Sequence, residues 1–386
     1  MTTLISFLGK GQDGRGYRPA NYRFEDGMLA EGQKYLGLTI AQKAQPSRVI
    51  LLGTRGSMWD VFLESEADHL TNEWLELADS VKQQTVNSLQ LRPFESYLQQ
   101  KMNAEVHCEL IPYARNTTEQ FEILSRLAQL LCDGEDVILD VTHGFRHLPM
   151  LALVAARFLK KTKNININQI YYGAFDMSHD NITPVLDLSG LLELLDWVDA
   201  LSCFDKDGDF GIFADLLEKQ GLATNHVELL NKASFFERTT NSSQAKETLG
   251  GIFKHIEQLN TPLFNLFKEQ LIQRISWFKE NTRGKREMSL ARNYLQRKDY
   301  IRAIIYGFEG LISVHLTKKS QDENDFTLRD KAKDELRDTN SFKRLNRLRN
   351  AIAHGVKASD QDVLRVVRDE KVLKQSLEER FKHLLD

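Results

Sequence analysis

The chain is poor in the residues that staple or stiffen a fold. Its 386 residues include three cysteines, seven prolines and four tryptophans. Cys108, Cys132 and Cys203 are widely spaced, odd in number and form no C-x-x-C pair. That excludes a disulfide framework or a cysteine zinc site and predicts buried thiols in a reducing compartment. A long hydrophobic run is also lacking: the longest, residues 148–156, stops at Arg157 and is too short to span a bilayer. With no N-terminal signal segment, a cytoplasmic protein without membrane association is expected. A strong excess of one charge is missing too. The net charge of -3 argues against a chain coated in nucleic acid, although it leaves room for a local basic cleft. What remains, 41% hydrophobic and 27% charged residues without repeats or low-complexity tracts, is ordinary globular material, too long for one core and suited to two domains.

In the N-terminal half, short apolar runs stop at small or polar loops. Runs 3–8, 48–53, 106–111, 136–141 and 169–173 read as buried strands. Between them, 29–45 and 59–82 have roughly helical spacing. Asn116-Thr117-Thr118-Glu119 makes an N-cap and capping-box start for a helix to residue 132, and 148–161 reads as another helix. Strands alternating with helices predict an α/β, Rossmann-like, mostly parallel sheet wrapped on both faces. Ligands of such sheets bind at the carboxyl ends of the strands.

The loops at those ends are therefore candidate binding elements. Gly9, Lys10 and Gly11 open a glycine-rich loop able to cradle phosphate with backbone N–H groups, or to serve as a flexible connection. Gly9 to Gly14 also matches G-x-G-x-x-G, but the sequence after it lacks the helical period that a dinucleotide fingerprint requires. Thr54 and Arg55 follow the second strand and Asn116 the third. Thr142, His143, Gly144, Phe145 and Arg146 follow the fourth. There a hydroxyl, two imidazoles counting His147, a glycine and an arginine gather at a helix N-terminus, a natural seat for a polyanion; the alternative is a tight turn in which Thr142 and His143 satisfy backbone groups and Arg146 is solvated.

From residue 188 onward the pattern is helical only. Helices are expected at 191–201, 210–220, 249–259, 263–280, 300–316 and 362–385, with loops at 237–246 and 318–325. The aromatics Phe264, Phe267, Trp277 and Phe278 read as core. Asp205, Asp207 and Asp209 lack the rest of a calcium loop and read as a solvated turn, and no metal site is expected.

The most informative stretch is 342–355. Leu345, Leu348 and Ile352 recur at helical spacing, and Lys343, Arg344, Arg347 and Arg349 come without a neighbouring acid. Arg349 is a permanent forked cation suited to phosphate, and His354 can exchange a proton near neutral pH. Five residues at about 100° each set the two about 140° apart, so one helix makes a poor cleft and two copies across a two-fold axis a better one. The alternative is a solvated arginine and a C-capping histidine.

Arg349-Asn350-Ala351-Ile352-Ala353-His354 resembles the Arg-x4-His signature of HEPN ribonucleases. Asp140 to Arg146, the Leu8 to Gly11 loop, Tyr171-Tyr172-Gly173-Ala174 and Pro184 to Leu188 resemble a CARF domain of the CRISPR-associated accessory ribonucleases of type III systems. The two matches fall in that family's order and span nearly the whole chain. The resemblance implies a CARF-like sensor at 1–190 and a helical connector with a HEPN domain at 191–386. It further implies a homodimer that binds a cyclic oligoadenylate, cyclic tetra-adenylate being the commonest activator, and then cleaves single-stranded RNA without a metal or other cofactor. Arg349, Asn350 and His354 are then the catalytic residues. Ligand binding falls to Gly9, Lys10, Gly11, Thr54, Arg55, Asn116 and 142–146, and some such sensors also cut their activator slowly. Two alternatives stay open: a ligand-sensing regulator with a silent HEPN half, and a nicotinamide-dependent oxidoreductase.

Overall fold

A computed structural model of the protein describes residues 2–10, 17–66, 69–144, 147–354 and 361–383. The chain divides into two compact units, Met1–Glu193 and Leu194–Asp386.

In the first unit, one sheet holds eight strands: β1 Thr2–Leu8, β2 Ala20–Arg23, β3 Leu29–Gln33, β4 Arg48–Gly53, β5 Glu105–Leu110, β6 Asp136–Asp140, β7 Asn166–Gly173 and β8 Ile182–Asp187. Their spatial order is β3-β2-β8-β7-β6-β1-β4-β5. From β5 through β7 every pairing is parallel, whereas β7 with β8 and β2 with β3 are antiparallel. The helices of this unit are α1 Leu36–Ala44, α2 Trp59–Glu66, α3 Thr71–Gln83, α4 Ser88–Met102, α5 Thr117–Leu130 and α6 Leu148–Thr162. Central strands β1 and β4 are buried almost throughout, as parallel strands covered on both faces must be. At their amino ends a buried ion pair ties three segments. Arg48 reaches Glu135 at 2.7 Å and Thr3 Oγ1 at 3.1 Å, and Thr3 also bonds Glu135. The topology turns back at β1: the chain runs outward through β4 and β5, then returns to β6 on the other side. The carboxyl ends of β1 and β6 therefore flank a switch point, where connections diverge and leave a crevice.

The second unit is helical. α7 Gly190–Asp207 leads into it, followed by α8 Ala214–Lys219, α9 Thr224–Arg238, α10 Ser242–Gln258, α11 Pro262–Ile275, α12 Arg283–Gln296, α13 Tyr300–Lys318, α14 Phe326–Leu336, α15 Asn340–Ala353, α16 Gln361–Arg368 and α17 Glu370–His383. Trp197, Phe264, Phe267, Trp277 and Phe278 lie in its core, as their spacing predicts. A polar network is buried there too: Glu287 accepts from Ser242, Arg283 and Ser313, and Arg329 donates to Ser313 and Glu309. The carboxylate and guanidinium thus have their hydrogen-bonding capacity filled, which burial of charge requires.

Several expectations need correction. Residues 29–45 are not one helix: β3 pairs with β2 before α1 starts at Leu36. Stretch 59–82 is two helices, α2 and α3. Residues 237–246 are mostly helical, because Asn241 caps α10 by accepting the Gln244 N–H and only 239–241 form the turn. The expected helix 362–385 divides at Asp369, whose carboxylate accepts from the Lys371 and Val372 N–H groups and starts α17. Helices α4, α9, α12 and α14 have no counterpart in the sequence reading. Cys108 is buried, but Cys132 and Cys203 are exposed. Among the described residues, no helix is long and apolar enough to cross a membrane.

Within the second core, Glu237 is a buried acid. One carboxylate oxygen accepts from Tyr294 at 2.9 Å, and the other has no hydrogen-bond partner. Burial pushes its carboxyl up to about 7 from an ordinary 4.5. A raised folded pKa means that the group's stabilisation is complete below about 4.5 and is lost as pH rises through about 7. We expect urea midpoints of the wild type to fall from pH 5 to pH 8, by up to roughly 3 kcal/mol in unfolding free energy, and those of Glu237→Gln to stay flat over that range. Parallel curves for the two proteins would contradict this.

Candidate functional site

The crevice beside the switch point is built by three loops. Gly9, just past β1, lies so close to Gly144 that a Cβ on Gly9 would sit 2.6 Å from the Gly144 nitrogen. Gly144 itself has φ +140, a region that disfavours other residues. Two glycines therefore let two backbones meet at the mouth of the crevice. The loop after β4 is stitched to the same place: Ser57 donates to the Leu8 carbonyl at 2.8 Å, and the Met58 N–H to the Gly9 carbonyl at 2.9 Å. Thr54 belongs to that stitching, its N–H donating to Ser57 Oγ at 2.8 Å, while Arg55 is exposed at the rim.

After β6, Asp140 shapes the turn. Its buried carboxyl accepts from Ser6 Oγ at 2.5 Å and from the Thr142 N–H at 3.0 Å, and burial pushes its pKa up against those bonds. The Thr142 hydroxyl oxygen accepts from the Gly173 N–H at 2.8 Å, joining this loop to the end of β7. His143 packs against both Tyr17 and Tyr35, with ring centroids 4.4 and 5.0 Å away, and the two tyrosine rings also meet each other at 6.0 Å. Its Nε2 accepts the Leu36 N–H at 3.2 Å, which leaves the proton on Nδ1. Burial pulls the imidazole pKa down to about 3, so this histidine is neutral and brings no charge to the crevice. The Tyr17 hydroxyl in turn accepts from the Gly9 N–H at 2.7 Å. Beside Tyr17 and Tyr35, Gln33, Lys34 and Phe62 help line a cavity of about 210 Å³.

Gly9, Thr54, Thr142, His143 and Gly144 thus come together, with Lys10 exposed next to them. Asn116 stands apart as the cap of α5, accepting the Glu119 N–H at 3.0 Å; Glu119 turns to the Arg115 N–H, so the expected reciprocal capping box is only half made. Gly11, Phe145 and Arg146 lie outside the described residues. Sequence reasoning missed Tyr17, Tyr35, Ser6 and the shaping role of Asp140, since their partners are far away along the chain. The glycine loop does not open a helix: after Tyr17 to Pro19 comes strand β2, which argues against the dinucleotide fingerprint.

The second cluster is on α15. Thr339 caps the helix by accepting the Phe342 N–H, and Phe342, Leu345, Leu348 and Ala351 bury one face, with Phe342 against Phe308 at 4.9 Å. His354 is the exposed C-cap residue, its N–H donating to the Asn350 carbonyl at 3.0 Å. The Arg349 guanidinium lies over the Phe308 ring at 4.5 Å and donates to Asn350 Oδ1 at 3.2 and 3.3 Å. Asn350 and His354 therefore share the exposed edge, while Arg349 leaves the helix from another side and is linked to that edge through Asn350. Within one chain, Arg349 and His354 do not converge.

Other polar clusters are structural. Asp205 pairs with Arg274 and Asp209 with Arg238, and Asp209 also accepts the Gly211 N–H. The acidic triplet is thus engaged in ion pairs and turns, not merely solvated. No group of three metal-ligating side chains occurs among the described residues.

Residues 3–176 match the family model described as the CARF domain of the CRISPR system endoribonuclease Csx1. The CRISPR-associated protein MJ1674 of Methanocaldococcus jannaschii is similar to this chain, 26% identical over 273 residues, a match covering 64% of this chain and 42% of that protein. The chain thus spans less than half the length of that curated relative.

The Gly9 and Gly144 contact can be tested directly. A methyl on Gly9 meets backbone on the far side, so the loops must part. Gly9→Ala should lower unfolding stability by about 1–3 kcal/mol. Far-UV circular dichroism should be unchanged and the denaturant midpoint reduced; an unchanged midpoint would show that the loops are not in contact.

Proposed function

The chain belongs to the CRISPR-associated CARF accessory proteins, and from that membership we propose that it is a metal-independent endoribonuclease of type III CRISPR antiviral defence, switched on by a cyclic oligoadenylate to cut single-stranded RNA. The observation that carries this reading is the joining, in one chain, of a CARF match over residues 3–176 to the Arg349, Asn350 and His354 cluster on the edge of α15. The first supplies a sensor and the second the groups that phosphodiester cleavage needs.

In this reading the crevice beside Gly9, Thr54, Thr142 and Gly144 receives the ring phosphates, with the Thr142 hydroxyl as a donor, the small Gly144 allowing close approach, and Lys10 and Arg55 contributing charge. Cyclic tetra-adenylate is the favoured activator because it is the commonest in the family this chain resembles, and a symmetric ring suits a two-fold pair of crevices. The partner is a second copy of this chain. On α6, Met150, Val154 and Phe158 recur every fourth residue and are 74%, 57% and 40% exposed, an apolar stripe that an isolated helix on water would not favour. Dimerisation also answers the geometry of α15. Arg349 and His354 diverge within one helix, but two copies offer two of each across a shared axis. At such a site His354 exchanges a proton as the RNA 2′-hydroxyl attacks the adjacent phosphate. Arg349 stabilises charge growing on the phosphoryl oxygens, and Asn350 orients one of them. The products carry a 2′,3′-cyclic phosphate or the 3′-phosphate derived from it. Ring binding acts by favouring the arrangement in which the helices pair productively, which demands a higher affinity for that state.

One observation favours the second reading, a ligand-sensing regulator without catalysis: Arg349 rests on Phe308 and not beside His354. Cleavage of a fluorogenic RNA in EDTA, without activator and then with cyclic tri-, tetra- and hexa-adenylate, decides between them. We expect the tetra-adenylate ring to switch cleavage on, and His354→Ala to lower it by about 10²–10⁴-fold at unchanged folding. Silence with every ring, from folded dimeric protein, would favour the regulator. Independently, Met150→Asp combined with Val154→Asp should shift sedimentation from dimer to monomer and abolish ring-dependent cleavage; a dimer persisting in this variant would remove α6 from the interface.

A further inference from the structure

Helix α15 carries more positive charge than its proposed chemistry uses. At about 100° per residue, Lys343, Arg347, Asn350 and His354 fall within about 60° of one another, opposite the buried Phe342, Leu345 and Leu348. Arg344 leaves the helix about 100° from Lys343, on the side where α17 brings Arg380. A groove of about 470 Å³ opens there among α15, α16 and α17, with Lys343, Arg344, Arg347 and Arg380 in its walls and Asp362 as its acid. Arg347 and Asp362 have interactions of their own. Lys343 pairs with Asp338 at 2.9 Å, but that carboxylate is 92% exposed and the bridge weak.

The informative pair is Arg344 and Arg380. Among the described residues, Arg380 gains only a long hydrogen bond from its Nε to Ser376 Oγ, 3.4 Å. Burial lowers its guanidinium pKa, and the Arg344 charge lowers it further, with Glu379 in part opposing. Two like charges turned toward each other in a groove destabilise the fold, and an anion seated between them removes the repulsion. Guanidinium forks match the two free oxygens of a phosphodiester. The groove walls carry no aromatic residue for base stacking, so what they recognise is backbone and not sequence. From Arg344 to His354 is ten residues, about 15 Å along the axis, and the Lys343 and Arg347 edge bridges that distance.

We propose that this groove holds a backbone phosphodiester of the RNA strand away from the scissile bond, with Arg344 and Arg380 as its positioning residues. This rests on the ribonuclease reading given above. The groove fixes the strand's path, and the Lys343 to His354 edge leads it to the cleavage residues.

The test measures binding and cleavage separately in the full chain with cyclic tetra-adenylate present. In a His354→Ala background, a short fluorescent RNA should bind on the order of 10-fold more weakly after Arg344→Gln with Arg380→Gln, and the slope of log affinity against log salt should flatten by about 0.7 for the one phosphate lost. With His354 intact, the loss should lie in KM and not in kcat, and melting temperatures should hold or rise as the repulsion is relieved. Arg344→Gln alone, at an exposed side chain, should give about half the change in slope. Cleavage by the parent with RNA affinity and salt slope unaltered in the variants would overturn the groove assignment alone. Weaker RNA binding in the variants, with no cleavage by the parent under any ring, would uphold the groove and remove the ribonuclease reading. Inorganic phosphate that competes with RNA only at millimolar concentration is expected; phosphate binding as tightly as the RNA would identify a free-anion site and overturn the strand assignment.

Discussion

The sensor unit depends on one buried carboxyl group. Asp140 ends β6 inside the molecule, where its solvation is lost and must be replaced. The Ser6 hydroxyl replaces part of it from β1 and the Thr142 N–H part from the following turn. Ser6 also meets the Tyr35 hydroxyl at 2.7 Å, and Tyr35 stacks on His143. A single acid thus joins the two strands flanking the switch point to the turn that brings Gly144 against Gly9. Removing the Ser6 hydroxyl would strand a buried oxygen of Asp140 and take a partner from the buried Tyr35 hydroxyl, a larger penalty than the bond itself is worth. Such a network rigidifies when complete, and a rigid crevice is what a ligand must meet if binding is to be reported elsewhere.

Neutrality of His143 follows from the same arrangement. An imidazole packed against two tyrosines, with its free nitrogen already bonded to the Leu36 N–H, has nowhere to place a second proton. The loop therefore presents small residues at the crevice and leaves charge to the rim, where the exposed side chains of Lys10 and Arg55 would have to be ordered to meet an anion.

Much of this was legible in the sequence, and the failures have physical causes. Buried parallel strands such as 48–53 are apolar throughout and stand out. The α15 stripe is equally plain, because Leu345 and Leu348 leave polar residues on every other side. The β2 and β3 hairpin was not legible: in 29–45 a short exposed strand precedes a helix, and scattered apolar residues fit either period. Helix α12 hid because Arg286 and Glu287 are buried in it, contrary to the usual sorting of charge, and only the partners Ser242 and Ser313 explain Glu287. At the site, Thr142 and Gly144 could be picked out by local composition. Tyr17 and Tyr35 could not, since nothing near them indicates that they close on a histidine more than a hundred residues away. The opposed arginines of α15 and α17 were likewise invisible until the helices packed.

The resting place of Arg349 bears on how a ribonuclease of this kind would be switched. A guanidinium over a phenyl ring at a partly exposed site is worth about 0.5–1 kcal/mol, and its bonds to Asn350 at 3.2 and 3.3 Å are long. By contrast, full burial of side chains such as Phe342, Leu345 and Leu348 contributes about 1.5–3 kcal/mol each, so α15 is held as a unit. Shifting a two-state equilibrium from 1:99 to 99:1 takes about 5.5 kcal/mol of differential ligand affinity. Re-aiming Arg349 needs far less than that, and unseating α15, at about 4.5–9 kcal/mol for those three side chains, needs a comparable amount. In the proposed ribonuclease, switching is therefore best met by moving intact helices relative to a second copy, with Arg349 turning into place once a His354 and a phosphate are present to receive it.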